Sequence, residues 1–160
     1  MADTCAANDA QLLLNPHPEC GMLSSLHVCL RAITASAPAL DGLFVLPVDC
    51  PGVRPETVVA LATAFRTSRA PLVVPRFGLR RGHPVLFAAT LFDELACAPL
   101  DQGARAVVRA HAADRLEVPV DDPAVLNDVD TPDAAAKLRR ARPRDATLPS
   151  PHASPSKNAH

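Results

Sequence analysis

Tryptophan and tyrosine are absent from this sequence, and phenylalanine occurs five times in 160 residues. Stacking platforms for nucleic-acid bases and aromatic-anchored interfaces are therefore poorly supplied. An excess of charge is absent too. Sixteen Lys+Arg stand against 17 Asp+Glu, a formal net charge of -1. That removes the bulk electrostatic drive toward nucleic acid or an anionic lipid surface. The longest apolar run near the middle, Leu43 to Val48, falls far short of the ~18 residues that span a bilayer. No nucleic-acid or membrane partner is expected. The N-terminus has neither a basic n-region nor an apolar h-region, so it does not read as a secretory signal. No HExxH motif, Gly-rich phosphate loop or Ser-His-Asp spacing occurs. Glycine is scarce, with six residues against 17 prolines, so the chain turns mainly with proline.

The five cysteines, Cys5, Cys20, Cys29, Cys50 and Cys97, are odd in number and irregular in spacing. A disulfide framework is not expected; reduced, mostly buried thiols in a cytoplasmic chain are. His17, Cys20, His27 and Cys29 could be imagined as a zinc set, but their spacing fits no closed structural site.

What is present suits one domain with a sizeable core. Residues 1–11 are small and polar, and residues 142–160 are rich in Pro, Ser, Ala and His. Both ends are expected to be disordered, leaving a folded body over 12–141. Within it, apolar runs at Leu12–Leu14, Leu43–Val48, Leu72–Val74, Val85–Phe87 and Leu116–Val120 predict strands. Leu23, Leu26, Leu30 and Ile33 share one helical face, and Val58, Leu61, Ala62 and Phe65 another, behind Pro55 at a first helical position. Short helices are expected near 91–96 and 104–111, a basic loop over 77–82, and a last helix opened by Pro132. Leu43–Val48 reads as a strand buried on both faces. The alternation predicts an α/β fold, a mainly parallel sheet with helices on both sides. Ligands in such folds bind beyond the carboxyl ends of the strands.

Three places carry candidate chemistry. Asp49 directly follows an apolar strand, where its carboxylate could hold Mg2+, a hard ion that takes oxygen ligands; it could equally just open the turn with Pro51 and Gly52. Asp128 and Asp130 alternate, so in an extended segment both leave on one face and invite a cation. Helix capping by Asp130 or Thr131 ahead of Pro132 and Asp133 explains that run without needing Asp128. Arg80 and Arg81 beside Gly82 and His83 can hold an anion, or form a solvated loop. Asp101 to Arg105 opens a helix that could meet a phosphate.

The order of these segments adds to their content. Asn15-Pro16 with Gly21-Met22 and Ser24-Ser25-Leu26 comes first, then the apolar strand ending at Asp49 with Pro51. Arg81-Gly82-His83-Pro84-Val85-Leu86 follows, then Asp101 with Gly103-Ala104-Arg105, then Leu126 with Asp128 and Asp130-Thr131-Pro132-Asp133. From about Leu12 to Leu138 the sequence resembles the MobA/MocA-like NTP transferase family, the molybdenum cofactor cytidylyl- and guanylyltransferases and their relatives. The resemblance implies a Rossmann-like, three-layer nucleotidyltransferase fold. It implies Mg2+-dependent transfer of a nucleoside monophosphate from an NTP, CTP or GTP, to a small phosphorylated acceptor such as a molybdopterin-type cofactor, with release of pyrophosphate. Asp49 then corresponds to a catalytic metal ligand, and Asp128, or else Asp130, to the second acidic ligand. Gly21, Met22 and Ser25 correspond to the segment beside the nucleotide base and ribose. Gly82, His83 and Pro84 correspond to the acceptor pocket, with Arg105 as an anion contact.

Two departures accompany the resemblance. The family's opening strand and its loop of the form LAAGxSxRMGxxK, which cradles the NTP phosphates, have no counterpart here. By the size of one βαβ unit that is on the order of 30 residues, so an N-terminally truncated domain is expected. It would leave the strand at 43–48 with an open edge. The alternative function is therefore an inactive family member that binds a partner, or its own copy, through that edge. Secondly, Pro47-Val48 precede Asp49 where the cofactor enzymes carry Gly.

Overall fold

The computed structural model describes residues 10–36 and 40–126, together with 5, 7 and 8. Helix α1 spans Met22–Ser36, α2 Pro55–Ser68, α3 Phe92–Cys97 and α4 Arg105–Ala110. Strands are β1 Gly42–Val45, β2 Leu72–Phe77, β3 Arg80–Arg81, β4 Val85–Ala88 and β5 Arg115–Pro119. Short 3-10 turns lie at Pro18–Cys20, Ala89–Leu91 and Pro123–Leu126. Helix α2 starts with Pro55 at its first position, as its sequence predicts, because the missing N–H is one that no helix could satisfy there.

The α/β, three-layer class is observed. β1 pairs with β4, β4 with β2, and β2 with both β3 and β5. β1, β2 and β5 point the same way, which answers to the parallel expectation. β4 lies between β1 and β2 and runs opposite to both, so β2·β5 is the one parallel ladder described. The reason is chain length. A parallel return needs a crossover of about a dozen residues or more, and β2 reaches β4 through a tight hairpin and a few residues. The expected basic loop over 77–82 is that hairpin: Phe77 faces Arg80 across Gly78 and Leu79, and Gly78 takes a positive φ of 59°.

Alternation along each strand sorts the core into two layers. Leu72, Val74, Val85 and Phe87 face one side, where Leu30 of α1, Leu95 of α3 and Val107 of α4 close over them. Val73, Leu86 and Ala88 face the other, under Leu61 and Phe65 of α2. Two expectations are corrected. Leu12–Leu14 is not a strand; three residues with no described neighbour strand have no ladder to join. β1 is half-buried throughout rather than buried on both faces, and ends at Val45. Among the described residues it pairs only with β4. Pro47 cannot donate to a ladder, and Val48 beyond it is 96% exposed. The thiols are corrected too: Cys50 alone is buried, while Cys20 and Cys97 are exposed.

Candidate functional site

The strand directions decide what meets at the site. Val45 pairs with Val85, so β1 ends at the sheet edge where β4 begins. The carboxyl ends of β2 and β5 lie at that same edge. Asp49, four residues past the end of β1, and Gly82-His83-Pro84, just ahead of β4, therefore leave the sheet at the end where α/β folds in general bind ligands.

Gly82 is fixed by close packing. A Cβ placed there would lie 2.0 Å from the Val125 carbonyl oxygen, far inside van der Waals contact. The Gly82 N–H donates to the Pro75 carbonyl at 3.0 Å and the His83 N–H to the Val125 carbonyl at 2.8 Å. This clamp joins the β2–β4 connection to the 3-10 turn after β5 and holds His83 at the rim of a cavity of about 450 Å3. Gly82 and His83, and Arg105 more than twenty positions further on, all line this cavity. Pro84, buried next to them, adjoins it without lining it. The other walls carry Arg81, Arg109 and Arg115, with Val74, Val85, Val108 and Ala112.

The cavity is strongly cationic, and one carboxylate organises part of that charge. Glu117 receives Arg115 Nη2 at 3.0 Å and Arg81 Nη1 at 3.2 Å, with Arg76 Nε at 3.7 Å. The hydrogen bond from Arg115 is the main cause that holds the Glu117 carboxyl below its ordinary value; burial opposes it, and the hydrogen bond from Arg81 adds to the lowering. Arg81 belongs to the Arg80–Pro84 run that the sequence marks as anion-binding. Arg109 and Arg115 carry no motif. The signal for Arg109 is its i,i+4 spacing from Arg105, and that for Arg115 is its strand parity with Glu117.

Gly21, Met22 and Ser25 stand elsewhere, at the start of α1, and do not line the cavity. Gly21 takes φ 84° as the 3-10 turn passes into the helix, a conformation that calls for glycine without any ligand. Met22 is exposed. The Asn15 amide donates to Ser24 Oγ at 2.7 Å and Ser25 Oγ at 3.0 Å, while its Oδ1 accepts from the His17 N–H at 2.9 Å. Asn15 thus ties the entering chain to the first turn of α1.

Asp49 sits half-exposed in a turn, its Oδ1 accepting from Cys50 Sγ at 3.7 Å. Asp128 and Asp130 lie outside the described residues. Among those described, no group of three His, Cys, Asp or Glu side chains could hold a metal ion; the imagined zinc set is not assembled, and His27 Nε2 instead bonds the Leu95 carbonyl at 2.8 Å. Mg2+ commonly takes one or two carboxylates and completes its shell with substrate phosphates and water. A lone accessible carboxylate at a strand end fits that role. The other aspartate near this edge, Asp122, does not. It is 2% exposed and accepts from the Thr57 hydroxyl at 2.7 Å, the Arg54 N–H at 2.9 Å and the Ala124 N–H at 3.1 Å. It ties the residue ahead of α2 and the Thr57 side chain in its first turn to the turn after β5.

The sequence profile of the MobA-like NTP transferase domain matches residues 1–116. No curated protein matches the chain. Among solved structures, Rv0371c from Mycobacterium tuberculosis superposes with a TM-score of 0.62 at 28% identity, over 75% of this chain and 60% of that one. A manganese complex of Rv0371c gives 0.57 at 29% identity, over 70% of this chain and 59% of that one. Molybdopterin-guanine dinucleotide biosynthesis protein A from Archaeoglobus fulgidus shares the fold, with a TM-score of 0.59 at 19% identity over 87% and 72% of the two chains. The chain thus spans about 60% of the length of Rv0371c.

Proposed function

The chain belongs to the MobA-like NTP transferase domain family, and from that premise we propose that it is a nucleotidyltransferase domain. It moves a nucleoside monophosphate from CTP or GTP to a small phosphorylated acceptor, of which a molybdopterin-type cofactor is the example the resemblance supplies. An acceptor phosphate oxygen attacks the α-phosphorus of the NTP, a new P–O–P linkage forms, and the α–β bond breaks with pyrophosphate leaving. The observation that carries this reading is the arginine-lined cavity bounded by Gly82 and His83 at the sheet edge that also carries Asp49.

Asp49, with Asp128 or Asp130, would hold a divalent cation, Mg2+ or Mn2+, which would supply neutralisation of phosphate charge. Gly21, Met22 and Ser25 border the nucleotide base and ribose. Gly82 keeps the β2–β4 connection close to Val125, so that His83 and Arg105 face the acceptor across one cavity. On this reading the domain extends over 12–141 and works in the cytoplasm, the compartment that keeps cysteines reduced.

The test is divalent-cation-dependent pyrophosphate release from CTP, GTP and ATP with a panel of phosphorylated acceptors. Asp49→Asn is expected to lower release by about a hundredfold or more. Failure of the unaltered chain to release pyrophosphate from any NTP overturns the reading. A second reading rests on β1, whose outer edge meets no strand among the described residues and runs on to exposed Leu46 and Val48. Such an edge can pair with a partner or a second copy. A concentration-independent monomer in sedimentation counts against self-pairing.

A further inference from the structure

The cavity's four arginines are not equivalent. Arg81 and Arg115 come from the sheet, and both give their guanidinium groups to Glu117. Arg105 and Arg109 come from α4, and neither side chain has an ion pair or hydrogen bond among the described residues. They are i and i+4 on one helix, where like charges repel. The helix, Arg-Ala-Val-Val-Arg-Ala, contains no acid to relieve them. Val74 and Val85 of the sheet and Val108 of α4 supply the apolar part of the same lining. Among the lining residues described, the His83 imidazole is the one ring, and no Phe takes part. A volume of about 450 Å3 is in the range of small-molecule sites.

We propose that Arg105 and Arg109 form the clamp for the acceptor's anionic group, a phosphate monoester dianion, and that Glu117 is a positioning residue that keeps Arg81 and Arg115 from competing for it. A guanidinium fork matches two phosphate oxygens at once. Two such forks, one helical turn apart, grip the dianion from one wall while the valines carry a compact stem. Glu117 occupies the forks of the sheet arginines, so their charge attracts the ligand without offering a second seat. The inference rests on the reading above only in calling the bound molecule an acceptor.

The probe is inorganic phosphate, titrated into the full chain at fixed low salt and followed by calorimetry and amide shifts, with acetate as the monoanionic control. Saturable phosphate binding in the range of about 1 mM or tighter is expected, weaker for acetate. Arg109→Ala and Arg105→Ala should each weaken it by about tenfold or more, and Arg109→Lys by less, since the charge stays and the fork is lost. Both arginines are exposed, so the variants should melt with the parent. Glu117→Gln should tighten phosphate binding by about threefold or more as Arg81 and Arg115 are released; a merely structural Glu117 would weaken it instead. Phosphate affinity within twofold of the parent in either arginine-to-alanine variant, weaker binding in Glu117→Gln, or no saturable binding by the parent overturns the proposal. Arginine-dependent phosphate binding without pyrophosphate release from any NTP would leave the clamp standing and remove the nucleotidyltransferase reading. Pyrophosphate release that is indifferent to Arg105 and Arg109 would do the reverse.

Discussion

The two faces of the sheet are cut from the same strands and finish in opposite ways. On the α2 face, Val73, Leu86, Ala88, Leu61 and Phe65 form one buried apolar cluster. On the other face, the residues one position along, Val74 and Val85, line a cavity together with arginines. β5 makes the switch explicit. Leu116 and Val118 pack toward α2, while Arg115 and Glu117, alternating with them, serve the cavity. The covering helices differ. Helix α2 covers its side over 14 residues, whereas the other side is shared by α1, α3 and the six-residue α4, and the cavity is lined along α4. Both faces carry buried core, and the second also leaves an opening where a charged ligand can enter.

The largest effect expected from this contrast lies at Leu61, which is 0% exposed. Leu61→Ala should destabilise the fold by about 2–5 kcal/mol in urea unfolding, and Val108→Ala on the cavity wall by about 1 kcal/mol. Equal losses would erase the distinction between the faces. Next comes Asp122, which fastens the start of α2. Asp122→Ala strands the Thr57 hydroxyl and the Arg54 N–H, at an expected cost of about 2–3 kcal/mol, read from thermal and urea melts. Pyrophosphate release measured well below the melting range should survive that change, whereas it should not survive Asp49→Asn. The smallest effect belongs to Glu117 on the open face. Its folded-state carboxyl sits below the usual 4.5, so its contribution is complete above that value and is lost as pH falls through the lowered one. Glu117→Gln should flatten that part of the acid limb of the stability profile, and about 150 mM salt should shrink it in the parent because the group is partly exposed.

Much of the fold is legible in the residues. Val85-Leu86-Phe87 and Leu72-Val73-Val74 are too apolar to be anything but central strands, and Pro55 marks the start of α2. The hairpin at Gly78 escapes because the stretch Phe77 to Arg81 is basic and lacks the usual Asn-Gly or Asp-Gly signal. Within the cavity, Gly82, His83 and Arg105 stand out beforehand because their run resembles a family segment. Arg109 and Arg115 do not, since nothing in a lone arginine tells which cavity it will reach. The aspartates show the same limit. Asp121 and Asp122 look alike in sequence, yet Asp122 is buried under α2 because the turn after β5 carries it to Arg54, sixty-eight positions away.

By itself, the sequence settles the class of fold, the family, and the short list of segments with chemistry in them. These are local properties, set by apolar periodicity, by proline and glycine placement, and by motif order. The tertiary structure decides which charges are spent and which remain. Glu117 occupies Arg81 and Arg115, Asp122 is consumed at the start of α2, and Arg105 and Arg109 are left facing the cavity. That outcome depends on the direction of β4 and the length of α4, which bring residues far apart in the chain within a few ångströms. Pairing between distant charges is a matter of distance, and only the folded chain sets distance.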